Sequence, residues 1–313
     1  MSSTMTNLYR TVRAIWPPEP KFSTDQIPDL TGRVTIVTGT NTGVGKETAK
    51  VLLQHNAKVY LAARTRAKAE AAIKDLKDAT GRDAIFLELD LANLASVRKA
   101  AEEFLSKERE LHILFNNAGV MVPPIEQLTA EGYDLQFGTN VLGHWYFTQL
   151  LLSALQADAK SSPDGYARIA TASSHGAHVA GPIDWNTLRD HPSLHYRMRL
   201  TEMQKLNAVV AHESSKRYKD MSILCFACDP GAIKTELKRN ASPLQQKFTD
   251  FTSHELWYGT LTQLWVGTME EAIQYNGEFI IPYARPGKTQ AQMYDPEIGK
   301  RLWLYMEEAV KTK

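Results

Sequence analysis

Cysteine is scarce in this sequence. The 313 residues contain two, Cys225 and Cys228, too few for the disulfide framework of a small secreted domain. The pair forms a C-x-x-C, a spacing also found in redox and metal sites. It lies in the apolar run "SILCFACDP", however, and strand positions three apart point to opposite faces. We therefore interpret both as buried strand residues and expect a reducing, cytoplasmic compartment.

Long apolar runs and an excess of charge are also missing. No stretch approaches the ~20 apolar residues that cross a bilayer, and the first residues lack an apolar segment followed by a small-residue cleavage site. We expect neither a transmembrane segment nor a signal peptide.

The formal net charge of +1 gives no overall attraction to nucleic acid or to an anionic membrane. Partners must therefore be inferred from particular sites.

The composition is that of an ordinary globular protein, with 43% hydrophobic and 23% charged residues. We expect an amino-terminal extension over 1–30, in which "WPPEP" is a proline-stiffened arm. One domain over 31–285 and a carboxyl-terminal helical extension over 286–313 should follow.

Short apolar runs alternate with longer helical patterns through most of the chain. Such alternation predicts an α/β fold with a parallel sheet covered on both faces. The predicted strands are 33–39, 58–64, 84–90, 111–119, 167–173, 222–228 and 277–281. The predicted helices are 44–56, 67–79, 94–108, 133–157, 197–219, 254–268 and 292–311. Residues 174–200 and 232–253 are predicted to be irregular insertions.

The segment "TGTNTGVG" (38–45), called the glycine loop below, lies between the first strand and the first helix of this pattern. Glycines at Gly39, Gly43 and Gly45 let the backbone turn tightly and approach a pyrophosphate, which helix amides can bind. By spacing alone it could be a simple turn. Its place after a strand and before a helix predicts a dinucleotide site.

The end of the second predicted strand indicates which dinucleotide binds. It reads "AARTRAK", with Arg64, Arg66 and Lys68 and no carboxylate before Glu70. An acidic side chain there would bind the NAD ribose hydroxyls, whereas a guanidinium suits a 2′-phosphate. We predict NADP(H). A solvated basic helix start is the alternative, and it fits Arg66 and Lys68 better than Arg64.

Several further motifs occur in a fixed order: "TGTNTGVGKETA", "LELDL", "NNAG", "NVLGHWYFT", "TASS" and "DPGAIKTEL". With them the sequence resembles, from about residue 30 to 285, the short-chain dehydrogenase/reductase superfamily and its retinol-dehydrogenase-like branch. The resemblance implies a single-domain, doubly wound, seven-stranded Rossmann sheet. It also implies hydride transfer between a nicotinamide and a carbonyl or alcohol.

The resemblance further implies a set of cofactor-binding residues. Asp90 corresponds to the residue that meets the adenine, "NNAG" lines the cofactor, and "DPGAIKTEL" covers the nicotinamide. The full set is Gly39, Asn41, Thr42, Gly43, Val44, Gly45, Arg64, Asp90, Leu91, Asn117, Ala118, Gly119, Asn140, Lys205, Pro230, Gly231, Ile233 and Thr235.

The catalytic positions of the family are matched incompletely. Asn140 would organise a water and proton path, and Ser174 would hold the substrate oxygen. Lys205 ends the family's Tyr-x-x-x-Lys, in which the tyrosine is the acid/base and the lysine lowers the pKa of the phenol and binds the ribose. The tyrosine position is Thr201. An aliphatic hydroxyl has no accessible pKa, and losing a positioned acid typically costs ~10²–10⁴ in rate. We therefore expect ordinary ketone reduction to be poor.

Two nearby side chains are candidate substitute acids. Tyr196 is nine residues before Lys205, so a helix that includes it places it on the opposite face. His195 titrates in a useful range, although an exposed loop histidine is its simpler interpretation. Three functions remain open: a reductase with unusual proton donation, a non-redox cyclase or isomerase, and a catalytically silent cofactor-binding protein.

The predicted substrate pocket is mostly apolar and aromatic. It comprises Met121, Trp145, His175, His178, His195, Tyr196 and Met198, with Val120, Val122, the rest of 182–200 and Trp257 nearby. We expect a sizeable apolar organic substrate, such as a polyketide, terpenoid or alkaloid intermediate. No nucleic-acid partner is expected, and a homodimer is left open. The histidines lack carboxylates or thiols at ligand spacing, so we predict no metal site.

Overall fold

The computed structural model describes residues 3–124, 126–189, 196–234 and 253–312. Within these ranges it describes the side chains of all residues except Ser3, Thr4, Leu8 and those of 196–202.

One sheet of eight strands runs through the molecule in the order β3-β2-β1-β4-β5-β6-β7-β8. The first seven are parallel, which confirms the predicted Rossmann-type sheet. The eighth pairs antiparallel with β7 and was not predicted, because its three residues "RPG" carry no apolar pattern. The strands are β1 Val34–Thr38, β2 Lys58–Ala63, β3 Ile85–Glu88, β4 Ile113–Asn116, β5 Ala167–Ala172, β6 Ile223–Cys228, β7 Phe279–Ile281 and β8 Arg285–Gly287.

Helices cover both faces of the sheet. Helices α4, α5, α6 and α8 share one apolar core with the sheet, and α2, α3 and α7 share the other. Each strand feeds both cores because successive side chains point to opposite faces. The helices are α1 Ser3–Ile15, α2 Gly43–Gln54, α3 Arg66–Thr80, α4 Leu94–Lys107, α5 His144–Ser161, α6 Tyr196–Arg217, α7 Tyr258–Thr268 and α8 Pro296–Val310.

Local sequence signals set several of these boundaries. Asn93 caps α4 by accepting hydrogen bonds from the amides of Ala95 and Ser96. Asp295 caps α8, whose first residue is a proline. Helix α3 ends at Gly81, which has the left-handed φ of +71°. The helix-strand alternation therefore has local as well as tertiary causes.

The two cysteines lie in β6 and are buried, as predicted. Cys225 belongs to one core and Cys228 to the other, since they are three positions apart. Burial raises the pKa of both thiols above the ordinary value, so neither thiol is poised as a thiolate.

Both terminal segments pack on the domain. Helix α1 lies against the short 3₁₀ turn His175–His178, and α8 packs against α6. In the part of the chain that the structure describes, none of the helices has both the length and the apolar character needed to span a bilayer.

Candidate active site

The glycine loop and the "NNAG" segment meet at the carboxyl edge of the sheet. Gly39 has φ +72°, and a Cβ there would lie 2.8 Å from Ala118 Cα. A Cβ at Gly45 would lie 2.5 Å from Asn117 Nδ2 and 2.5 Å from the Gly39 carbonyl oxygen. The two segments therefore pack at a distance that only glycine permits.

Helix α2 begins inside the glycine loop with an open amino terminus. Its N-cap residue, Thr42, has an extended backbone and makes no side-chain capping hydrogen bond. Amides of the first turn therefore remain for an anionic ligand. Val44 and Ile233 lie on either side of Gly259, whose Cβ would contact them at 2.9 and 3.0 Å. The segment after β6 and the glycine loop thus both contact the start of α7.

The basic residues after β2 are in different environments. Arg66 interacts with Glu70 at 3.6 Å and with Glu88 at 3.9 Å, and it stacks over Phe86. Arg64 is exposed and has no ion-pair partner within the described ranges. Arg64 is therefore the guanidinium that a ligand at this strand end could engage.

Asp90 and Leu91 are held after β3 by backbone contacts. The Asp90 carboxylate accepts a hydrogen bond from the Ala92 amide at 3.0 Å, and the Asp90 amide donates to Ser96. The Leu91 carbonyl lies so close to Gly143 that a Cβ there would approach it to 2.4 Å. The turn that carries Asp90 is thus fixed beside the segment that carries Asn140.

Asn140 lies in a π-helical turn, Gly138–Gly143, directly before α5, an irregularity that often marks functional positions. Its side chain bonds the backbone of Val120 twice: Oδ1 accepts from the amide at 2.9 Å, and Nδ2 donates to the carbonyl at 2.9 Å. Asn140 therefore fixes the chain that continues from "NNAG".

A buried histidine connects this turn to β1. His144 Nδ1 donates to the Asn140 carbonyl at 3.1 Å, and its Nε2 contacts Thr38 Oγ1 at 2.9 Å. Thr38 Oγ1 also accepts from the amides of Asn117 and Ala118. Burial lowers the pKa of His144 to about 4. This histidine is therefore a neutral structural link between the two segments.

Ser174 begins the short turn after β5, where its hydroxyl accepts from the Gly176 amide at 3.1 Å. The next residue, His175, has Nδ1 3.8 Å from Asp229 Oδ1, with about 30% of its side chain exposed. Asp229 is fully buried and accepts a hydrogen bond from the Gly231 amide at 2.8 Å. Burial opposes charge on His175, but the interaction with Asp229 prevails and raises its pKa above the ordinary value.

Asp229 was overlooked as a site residue from sequence. It stands in "DPGAIKTEL", which was interpreted only as a backbone segment over the nicotinamide. The available signal was its place at the end of β6, because side chains that follow neighbouring parallel strands meet at one edge.

Lys205 is fully buried on α6. Its ammonium group donates to the Gly181 carbonyl and, at 2.8 Å, to Gln292 Oε1. The hydrogen bonds described for Asn140 and Ser174 go elsewhere, so these three side chains are not joined in one described network. Gln292 was not predicted, and a single glutamine 87 positions from Lys205 carries no signal in the sequence.

Some predicted residues lie outside what the structure describes. His195 and Thr235 fall outside the described ranges. Tyr196, Met198 and Thr201 belong to α6, but their side chains are not described. Because α6 begins at Tyr196, the nine residues to Lys205 make about two and a half turns, which places position 196 on the opposite side of the helix from Lys205.

Two residues predicted to line the substrate pocket are buried in the structure. Trp145 is buried, with its ring packed edge-on against Trp303 at 5.4 Å. His178 is buried, contacts Thr289 Oγ1 at 3.1 Å and packs against Phe279. Burial lowers the pKa of His178 to about 4. Trp145 and His178 follow the motifs that carry Asn140 and Ser174, but the sequence does not show in which direction their side chains point.

No group of three or more potential metal-ligating side chains (His, Cys, Asp or Glu) occurs in the described part of the chain. This edge of the sheet carries an open helix amino terminus, a serine and a histidine-carboxylate pair.

Comparisons with known proteins agree with this geometry. A family model for short chain dehydrogenase matches residues 33–183. A short-chain dehydrogenase/reductase of Armillaria gallica is 51% identical over 306 residues, which cover 97% of this chain and 98% of that protein. Retinol dehydrogenase 11 of Mus musculus is 40% identical over 214 residues, 68% of this chain and 65% of the mouse protein.

A solved structure from Mycobacterium paratuberculosis has the same fold. It superposes with a TM-score of 0.72 at 24% identity and covers 93% of this chain and 98% of its own.

Proposed function

Because the chain belongs to the short-chain dehydrogenase/reductase family, we propose that it is an NADP(H)-dependent oxidoreductase of a sizeable apolar organic substrate, in which His175 replaces the missing tyrosine as proton donor. The observation that carries the proposal is the interlocked glycine loop and "NNAG" segment, where added Cβ atoms at Gly39 and Gly45 would collide with neighbouring backbone. Such a close backbone approach is what a pyrophosphate site requires.

The residues present fit a nicotinamide dinucleotide. Amides at the start of α2 would bind its pyrophosphate, and Arg64 would bind a 2′-phosphate. When bound, the reduced cofactor supplies a hydride. Asp90, Asn117 and Ile233 would position the adenine, the central part and the nicotinamide end, respectively.

The substrate oxygen would be held by Ser174, one residue before His175. As hydride reaches the carbonyl carbon, the electrons of the C=O π bond move to oxygen, and the His175 ring transfers a proton to it. Asp229 favours the charged form of that ring, because its carboxylate lies 3.8 Å away and is fully buried. Solvent would restore the proton, since part of the His175 side chain is exposed.

The similarity to a short-chain dehydrogenase/reductase of Armillaria gallica supports a dehydrogenase or reductase reaction, and the similarity to retinol dehydrogenase 11 supports an alcohol or carbonyl substrate. The predicted apolar residues near the site, Val120, Met121 and Val122, favour a sizeable apolar one.

A second function is favoured by one observation. The ammonium group of Lys205 is bound to Gly181 and Gln292, and Thr201 supplies no phenol for it to activate. A non-redox cyclase or isomerase, or a catalytically silent cofactor-binding protein, would need no such activation.

A hydride-tracing experiment separates these functions. The purified protein is incubated with a panel of apolar ketones and with NADPH carrying deuterium on either face of C4. Deuterium in the product alcohol supports the reductase. Conversion of a substrate without consumption of NADPH supports the cyclase or isomerase, and binding of NADPH with no conversion across the panel supports the silent protein.

A further inference from the structure

Helix α1 docks on the domain through its polar face. Arg10 donates to the Thr289 carbonyl at 2.9 Å and to Asn7 Oδ1 at 3.3 Å. Ala14, one turn further along this face, is buried. The contact thus uses the side of the helix that an amphipathic helix on a globular domain ordinarily turns to solvent.

The opposite side of α1 and the residue after it form an apolar face, which consists of Met5, Tyr9, Val12 and Trp16. Their spacing of four, three and four places them within one narrow stripe. They are 59%, 58%, 43% and 55% exposed. These four are among only nine large hydrophobic side chains that are exposed in the described part of the chain. An exposed apolar stripe of this kind marks an interaction surface.

Two further exposed apolar residues belong to segments that contact α1. Val179 directly follows the turn His175–His178, on which α1 packs. Trp257 stacks on Tyr258 with ring centroids 3.8 Å apart, and the neighbouring His254 bonds the Ile15 carbonyl at 2.9 Å. Helix α1 therefore contacts both segments that border the candidate active site, and each of these segments carries one exposed apolar residue.

The charged side chains of α1 have one sign. Residues 1–18 contain Arg10 and Arg13 and no acidic residue, and Glu19 is the first. Arg13 is exposed beside the Tyr9 ring, and its charge interacts with that of Arg285 in β8. In a two-fold dimer through this face, Arg13 and Arg285 of each copy would meet a surface that also carries these two arginines. Anionic lipid headgroups would instead neutralise the charges of both arginines.

We propose that the apolar face of α1 binds the surface of an anionic lipid bilayer. Tyr9 and Trp16 are amphipathic aromatics of the kind that occupy the headgroup level, and Arg13 lies beside them. The helix would lie in the plane of the membrane, between the bilayer and the segments that border the candidate active site. This attachment does not depend on the proposed reaction.

Vesicle flotation tests the proposal with the full-length protein. The probes are vesicles of phosphatidylcholine alone and of phosphatidylcholine with phosphatidylserine as the minor lipid. We expect flotation with the anionic vesicles and about tenfold or more weaker partitioning for the Tyr9→Ser, Trp16→Ser double variant. Arg13→Glu should weaken binding to the anionic vesicles only, by about tenfold.

Leu304→Ser is the matched control, because Leu304 is 53% exposed on α8, away from the apolar face. It should float as the unmodified protein does, and circular dichroism should show equal thermal midpoints for all variants. Absence of flotation, or flotation that the double variant leaves intact, overturns the proposal. A dimer in sedimentation that the double variant dissociates, without vesicle binding, assigns the face to a second copy and also overturns it.

Discussion

Different kinds of contact hold the two halves of the candidate site in place. The nucleotide half consists of the glycine loop and residues 117–119, and the substrate half consists of Ser174, His175 and Lys205. Close packing of two backbone segments fixes the nucleotide half, with Cβ clearances as short as 2.5 Å, and the side chains of Thr38 and Asn140 reinforce it. The substrate half is held by single contacts of its side chains, from His175 to Asp229 and from Lys205 to Gln292 and the Gly181 carbonyl. The nucleotide half therefore permits few substitutions, whereas the contacts of the substrate half can change through single substitutions.

The largest effect is expected where the backbone contacts are tightest. Gly45→Ala places a methyl group 2.5 Å from the Gly39 carbonyl, and overpacking of this kind costs about 1–3 kcal/mol. NADPH binding should fall below detection in a fluorescence titration, and the thermal midpoint should fall. Gly181→Ala is the control, since nothing lies within 4 Å of its Cβ position. Equal binding by both variants would contradict the rigidity assigned to the nucleotide half.

The next effect concerns the proton. His175→Gln should lower kcat by about 10²-fold or more, as for loss of a positioned acid, with KM for NADPH unchanged. A general acid works in its protonated form, so activity should fall as pH rises through the raised pKa of His175.

Asp229→Asn sharpens that test, because the amide keeps an oxygen for the Gly231 amide but removes the charge. The falling limb of the pH profile should then move to lower pH. An unchanged profile in a folded Asp229→Asn variant would remove His175 from the proton path.

Cofactor choice should respond more moderately. Arg64→Asp should weaken NADPH binding by about 10- to 100-fold, the value of a charged hydrogen bond, and should improve NADH binding. Arg66→Ala is the control, because Arg66 is already paired with Glu70 and Glu88. Equal affinities of the unmodified protein for NADPH and NADH would disprove the assignment.

The smallest effect is expected from restoring the phenol alone. In Thr201→Tyr the new ring lacks an activating neighbour while Gln292 and Gly181 bind Lys205, so ketone reduction should rise by less than about tenfold. Adding Gln292→Leu removes one of these hydrogen bonds and should increase the gain. A double variant no more active than Thr201→Tyr, although folded and able to bind NADPH, would show that Gln292 does not restrain Lys205.

Sequence predicted the nucleotide half better than the substrate half for a physical reason. The strands and the glycine loop have signals within a few residues: apolar runs, and glycines where a helix begins. The partners of Lys205 and His175 are set by which distant segments meet, and one hydrogen bond between Lys205 and Gln292 leaves no pattern in the chain.

The direction in which a side chain points was the second property that the sequence could not predict. Burial of Trp145 and His178 in the interior depends on the rotation of their segments, which an apolar residue type does not specify. Helix α1 gives a similar example. The amino-terminal extension was expected to carry a proline-stiffened arm. The spacing of Met5, Tyr9, Val12 and Trp16 indicates an apolar stripe, but it does not show that the opposite side of the helix packs on the domain.

The hydrogen bond from Lys205 to Gln292 connects the carboxyl-terminal segment to the candidate active site. Exchange of residues 286–313 between this chain and a relative would change a partner of the buried ammonium while leaving the glycine loop untouched. By this route, relatives with the same glycine loop could diverge in how this lysine is held. A chimera of this kind would reveal the divergence as a changed NADPH affinity in a protein that keeps its fold.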